Sequence, residues 1–251
     1  MVLLGAMGAS DTARADDAAE LRALITGMAR TSHTWETSVR RKFSGATTAP
    51  RFDPPAATEV RGEFDAAGLT LVVLQPTRDV PVPVTALTRH GDAVALTPTG
   101  WLRRDALRAG GGEAERDVVL EGKTVRRTRF VAAALKAAAV RPVVEDLLDL
   151  VVDFKSVRRE QGVFLAELPE KAIELAWGGP EAKRAPEVHG TVIFKVGETG
   201  IAEYHVVLGI GFPDARSKGV AWTMQQWSTR FSAVGATTVA VPEGAAQALD
   251  K

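Results

Sequence analysis

Four histidines, His33, His90, His189 and His205, are the side chains of this sequence best suited to proton transfer or metal ligation near neutral pH. None stands in a His-x-x-x-His or His-Glu-x-x-His arrangement, the spacings that put two ligands on one helical face. If Val196 pairs with Ile201, His189 and His205 fall several residues out of register, which argues against a metal site built across two strands. No Gly-x-Ser-x-Gly elbow marks a hydrolase nucleophile. Glu145, Asp146 and Asp149 share a helix face and read most simply as solvated acids, with nothing to suggest a paired-carboxylate glycosidase. The run Gly110-Gly111-Gly112 lacks the Gly-Lys-Ser/Thr of a phosphate loop and reads as a loop tip. With no cysteine in the chain, disulfides, thiolate catalysis and cysteine-ligated metals are excluded. The expectation is a protein without enzymatic activity, cofactor or metal.

What remains is apolar surface, and the elements that would carry it. At 251 residues and 45% apolar composition the chain is long enough to bury a real core, and an all-β domain reaches this length without splitting. Lys plus Arg and Asp plus Glu each total 31, so no charge imbalance points to nucleic acid or to an acidic membrane surface. Partners are expected to be held by shape and apolar contact.

The most telling segment is near the C-terminus. Val220, Trp222 and Met224 occupy even positions, whereas Trp227 and Phe231 occupy odd ones. The pattern predicts a long strand that changes face through a β-bulge near Gln225-Gln226. Shorter strands are predicted by alternation at Thr34 to Ser44, with Trp35, Val39 and Phe43 on one side, and around Val60, Gly62 and Phe64. Leu69 to Leu74 follows across a turn at Ala66-Ala67-Gly68. Val84 to Leu87, Ala93 to Thr97, Thr191 to Val196 and Ile201 to Leu208 complete the strand set, the last two joined by a four-residue loop at Gly197 to Gly200. Between them, Asp153 to Val157 and Val163 to Leu168 form a hairpin around Gln161-Gly162.

Helical spacing appears in five further places. Leu21, Leu24, Ile25 and Met28 give an amphipathic opening helix over Asp16 to Arg30. A short helix is expected over Trp101 to Arg108 and an alanine-rich one over Phe130 to Val140. After Pro142, Val143, Val144, Leu147, Leu148, Val151 and Val152 form a stripe that must be buried. Pro169 to Trp177 adds a further helical turn. Met1 to Ala15 is short and apolar, and Ala13-Arg14-Ala15 has the small-x-small form of a secretory cleavage site, so residues 1–15 are read as the remnant of an export signal. No later apolar run reaches the roughly 18 to 20 residues of a membrane span.

In its order of elements the chain resembles the LolA-like periplasmic lipoprotein carriers and the related LppX/LprG lipid-binding lipoproteins. The resemblance rests on the opening helix over Asp16 to Arg30, the strand at Thr34 to Ser44, the hairpin around Gly197 to Gly200, the Trp222 to Phe231 strand and the Val239-Ala240-Val241-Pro242-Glu243 ending. It implies a mainly β, α+β fold: a curved antiparallel sheet forming an incomplete barrel, with helices packed on its concave face as a lid, in one domain over residues 16–251. It further implies a periplasmic carrier or binder of lipids or acylated proteins, with an envelope membrane protein as a possible partner. The residues expected to line the apolar cavity are Trp35, Val39, Phe43, Val60, Phe64, Leu71, Trp227 and Phe231, with Leu147 and Leu148 from the lid. A closed hydrophobic core is the competing reading of the same residues. The chain departs from the pattern in lacking an anchoring cysteine and in its extra length over Ala109 to Val140. The alternative function is an envelope interaction or sensing module that reuses the same sheet.

Overall fold

The computed structural model describes residues 8–46, 58–109, 117–151, 154–177, 182–214 and 219–250. In chain order the elements are α1 (Gly8–Ala29), β1 (His33–Ala46), β2 (Thr58–Phe64), β3 (Leu69–Leu74), β4 (Val84–Arg89), β5 (Asp92–Thr97), β6 (Gly100–Arg103), α2 (Arg104–Ala109), β7 (Asp117–Leu120), β8 (Lys123–Arg126), α3 (Arg127–Ala137), α4 (Val143–Val151), β9 (Ser156–Glu160), β10 (Val163–Glu167), α5 (Glu170–Trp177), β11 (Glu187–Gly197), β12 (Gly200–Asp214), β13 (Gly219–Ser232) and α6 (Ala245–Leu249). The protein is mainly β. Eleven strands hydrogen-bond in the order β6-β5-β4-β3-β2-β1-β13-β12-β11-β10-β9, and β7 pairs with β8 separately. The order is linear and does not close into a barrel.

The chain forms two compact units. The first holds residues Met1–Ala29, Ser38–Ala57 and Val144–Arg230, and the second holds Arg30–Thr37, Thr58–Val143 and Phe231–Lys251.

In the first unit, antiparallel pairing sorts side chains onto two faces, because directly paired residues share a face. Val157, Ala166, Val192, Val206 and Trp227 follow one another across β9 to β13 on one face, as do Phe164, Phe194, Tyr204 and Thr229. Helices cover this face. Arg159 on β9 lies over the Phe164 ring, 5.2 Å from its centroid, and gives two hydrogen bonds to the Glu20 carboxylate of α1 at 3.0 and 3.1 Å. Ile173 of α5 packs against Gly190, where an added Cβ would come within 2.7 Å of its side chain. Leu21, Ile25 and Met28, spaced for one helical face, are all buried as expected.

The long strand β13 keeps unbroken register with β12 from Gly219 opposite Asp214 to Arg230 opposite Glu203. The expected bulge at Gln225-Gln226 is therefore absent. Met224 and Trp227 differ in face because plain alternation sends even and odd positions to opposite sides, and both sides carry large apolar groups. The irregularity lies instead in the β11–β12 hairpin, where the register shifts beside Lys195 and Val196. The ladder there closes at Gly197 opposite Gly200, so the loop is two residues, not four.

In the second unit, β2 to β6 form a meander. Leu71, Leu87 and Val94 share one face, packed with Val239, Ala245 and Leu249 from the C-terminal segment. Gly62, Val72, Ala86 and Ala95 share the other. The predicted turn at Gly68 holds, as does the one at Gly162 in the first unit: both glycines have φ of 82°. The expected helix over Trp101 to Arg108 begins later, at Arg104, because 101–103 pair with β5. Alternation too short to register hid the β7–β8 hairpin, and α6 was hidden in an alanine-rich tail.

Candidate functional site

The first unit contains a cavity of about 550 Å³, within the ordinary size range of small-molecule sites. It is lined by Asp146, Leu147, Asp149 and Leu150 of α4, Lys171, Ala172 and Ala176 of α5, Tyr204 of β12 and Trp227 of β13. Helix spacing accounts for the helical contributions: Asp146, Leu147, Asp149 and Leu150 repeat at three to four residues, and Ala172 and Ala176 are one turn apart. The two alanines are the smallest side chains of the lining, and the sheet supplies two aromatic rings to it.

Tyr204 is 5% exposed, and its phenol is held protonated well above the usual tyrosine range. Burial is the main cause and the Asp146 charge adds to it, against a hydrogen bond with Thr229. Thr229 faces Tyr204 across the strand pair and is itself fully buried. Tyr204 is thus a neutral ring anchored at its polar end, and the half-buried Trp227 indole lies beside it in the lining. The rim is polar, with Asp146, Asp149 and Lys171 bringing both signs of charge. Such a site suits a guest with an apolar body and a polar end.

Of the residues predicted to line a cavity, Leu147 and Trp227 do so; Leu148 is half-buried on α4 and outside the lining. Val39 and Phe43 lie on β1, but their side chains fall outside the described residues. The others lie in the second unit. Trp35, Phe64 and Phe231 surround the fully buried His33, with ring centroids 5.9, 5.3 and 5.4 Å from the imidazole. Trp35 is 1% exposed and its indole lies on Gly62, where a Cβ would meet it at 2.0 Å. Leu71 packs against the Leu87–Val94–Leu249 cluster, and Val60 is half-buried on β2.

His33 is built as a neutral residue. Its Nδ1 lies 2.8 Å from the Thr31 carbonyl, which can only accept, so the proton sits on Nδ1. Nε2 is buried without a partner. Burial pushes the imidazole pKa below its ordinary value, outweighing the Thr31 hydrogen bond that raises it.

Tyr204, Lys171, Ala172 and Ala176 escaped the sequence reading. Tyr204 carried a signal, being the single tyrosine of the chain and in phase with Val206 and Leu208. The alanines carried none, because a small residue marks space only once its opposite neighbour is known. Among the described residues no group of three or more His, Asp or Glu side chains is disposed to hold a metal, and no helix is long and apolar enough to cross a membrane.

No protein-family model matches the sequence, and no curated protein matches it. Among solved structures the chain is similar to one described as lipid–protein interactions in lipovitellin, with 10% identity and a TM-score of 0.26, over 85% of this chain and 26% of that one. This chain therefore spans about a quarter of that neighbour's length. It is also similar to the dehydratase domain from the CurF module of curacin polyketide synthase, with 9% identity and a TM-score of 0.20, over 88% of this chain and 83% of that one. At these scores both likenesses are weak, and neither carries an argument about function.

Proposed function

We propose that the protein binds lipids or acylated proteins, seating an acyl chain in the cavity of the first unit and holding it without converting it. One observation carries this reading: the Tyr204 and Trp227 rings share the lining of a cavity of about 550 Å³ with Leu147, Leu150, Ala172 and Ala176, and with the charged Asp146, Asp149 and Lys171. Removing apolar surface from water stabilises a complex by roughly 25 cal/mol per Å², so an acyl chain gains from this lining what a polar solute does not. The rim acids and Lys171 would orient its polar end. The small-x-small sequence Ala13-Arg14-Ala15 supports placing this carrier in an exported, periplasmic setting.

The direct test is native mass spectrometry of gently purified protein, followed by titration of the delipidated chain with a fluorescent fatty-acyl probe. Co-purifying lipid and saturable binding that fails in Trp227→Ala support the proposal; a delipidated protein with no affinity for the probe overturns it. A second reading, an envelope interaction module, is favoured by the closed packing of Trp35, Phe64 and Phe231 on His33. In that case a protein partner co-purifies and lipid does not.

A further inference from the structure

The other face of the β11–β13 ladder carries a different arrangement. Strand pairing places Lys195 opposite Glu203, Glu203 opposite Arg230, and His205 opposite Ser228, all on the face that α4 and α5 do not cover. Their side chains form a hydrogen-bonded chain. Ser228 Oγ lies 2.7 Å from His205 Nδ1, and His205 Nε2 lies 3.2 Å from Glu203 Oε1. Lys195 Nζ and Arg230 Nε donate to the two Glu203 oxygens at 2.9 and 3.1 Å.

The direction of each proton follows. Burial alone would raise the Glu203 pKa, but the hydrogen bonds from Lys195 and Arg230, with the charges of His205 and Lys195, hold it below the usual carboxylate value. The ionised carboxylate can only accept, so His205 Nε2 carries the donating hydrogen. Nδ1 is then a bare lone pair, and Ser228 must donate to it. A serine hydroxyl pointed at a neutral imidazole whose far nitrogen is fixed by a carboxylate has the parts of an activated nucleophile.

We propose that Ser228 is a nucleophile and His205 its general base in a second site, one that hydrolyses esters of apolar acyl groups. Glu203 is a positioning residue, fixing the ring and its tautomer. The acyl group lies along Val207, Met224 and Trp222, half-buried residues on this same face beside Gly209 and Gly211. Those glycines let the Trp222 ring lie close to the strand, 3.3 Å from a Cβ built at Gly209. Gln226, between Met224 and Ser228 on the face, keeps its side-chain oxygen buried without a donor, an acceptor that the attacking water or the released alcohol would satisfy. Arg230 stands two residues along the face from Ser228 and is 78% exposed; its N–H groups other than the Nε bonded to Glu203 would serve as donors to the developing oxyanion.

In the first step Ser228 Oγ bonds to the ester carbonyl carbon and its proton passes to His205 Nδ1. The carbon–alkoxide bond breaks, and the alkoxide leaves as the alcohol with that proton. Water then attacks the acyl-serine, giving its proton to Nδ1; the acid departs and Ser228 recovers the proton. Ester and water become acid and alcohol, with no change of oxidation state. The burial that pushes the His205 pKa below its usual value, against the opposing pull of Glu203, keeps the base neutral at pH 7. This site is independent of the cavity proposed above, which lies on the opposite face.

The test uses the full chain, a fluorophosphonate probe and p-nitrophenyl butyrate. The unaltered protein is expected to be labelled at Ser228, located by peptide mass spectrometry, a result that needs no variant to fold. Ser228→Ala and His205→Gln are each expected to lower ester kcat/KM at least about 100-fold with unchanged circular dichroism. Glu203→Gln removes the charge that raises His205, so the acid limb of the pH–rate profile should move to lower pH, which a merely structural role would not produce. Fatty-acyl binding in the cavity should survive Ser228→Ala. Absence of labelling at Ser228, or hydrolysis by the unaltered chain no faster than by Ser228→Ala, overturns the proposal.

Discussion

One strand supplies an aromatic residue to each of two quite different surroundings. In the first unit Trp227 lines a cavity of about 550 Å³ together with Tyr204 and two alanines. In the second unit Phe231 meets His33 edge-on at 82°, with Trp35 and Phe64 completing the packing. The residue types are alike, and both stand at odd positions of β13. What differs is the company each ring keeps: His33, Trp35 and Phe64 pack together with Phe231, whereas Trp227 shares an open lining with the small Ala172 and Ala176. A cavity is therefore a property of the pair of surfaces that face each other, and aromatic content alone marks neither core nor ligand site.

The comparison is broken most directly at its filled end. Trp35→Ala should destabilise the protein by about 3 to 5 kcal/mol in urea denaturation, the cost of deleting a fully buried aromatic. Gly62→Ala should cost about 1 to 3 kcal/mol, because its Cβ would overlap the Trp35 indole. At the open end, Trp227→Ala should weaken fatty-acyl probe binding at least about tenfold, which is about 1.4 kcal/mol of affinity. Ala176→Leu should do the same while leaving stability unchanged or raised by up to about 1 kcal/mol. A loss of stability from Ala176→Leu comparable to that from Trp35→Ala would show that the two ends are equally filled, and the contrast would fail.

His33 gives the filled end a pH signature. Its folded pKa is lowered, so below the unfolded value near 6.5 the unfolded chain binds more protons than the folded one. The stability His33 contributes is complete above that value and is lost as pH falls from there through the folded pKa. Urea midpoints measured at pH 7.5 and 5.5 should therefore diverge more in the unaltered chain than in His33→Gln. His205 is shifted the same way and leaves a residual slope in the variant. The smallest effect concerns turns. Glu121 and Gln161 hold φ of 48° before glycines, a region asparagine tolerates better, so Glu121→Asn and Gln161→Asn should each raise stability by less than about 1 kcal/mol.

Alternation revealed most strands to within a few residues, and the 3.6-residue stripe of Val143, Val144 and Leu147 revealed α4, because burial of one face leaves a mark on every second or every third to fourth position. The same rule misled at β13. A strand with apolar residues on both faces has no polar side to define its phase, so two populated faces imitated a bulge. Of the residues that line the cavity, the apolar pattern of the sequence marked Leu147 and Trp227. Its alanines and the Thr229 anchor of Tyr204 depend on long-range pairing, which no local window contains. The Ser228–His205–Glu203 alignment was hidden for the same reason: its residues meet only through the β12–β13 register.

The hydrogen-bonded order of strands has two terminal members, and their composition bears on how the protein behaves at high concentration. β6 is four residues long and β9 is five. Each ends in charge: Arg103 of β6 pairs with Asp92, while on β9 Arg158 pairs with Glu160 and Arg159 with Glu20. A foreign strand adding to either end would gain few backbone bonds and would have to desolvate these ion pairs. Short, charged ends of this kind disfavour edge-to-edge pairing, so neutralising Arg158 and Arg159 should raise self-association at high concentration, as read by light scattering.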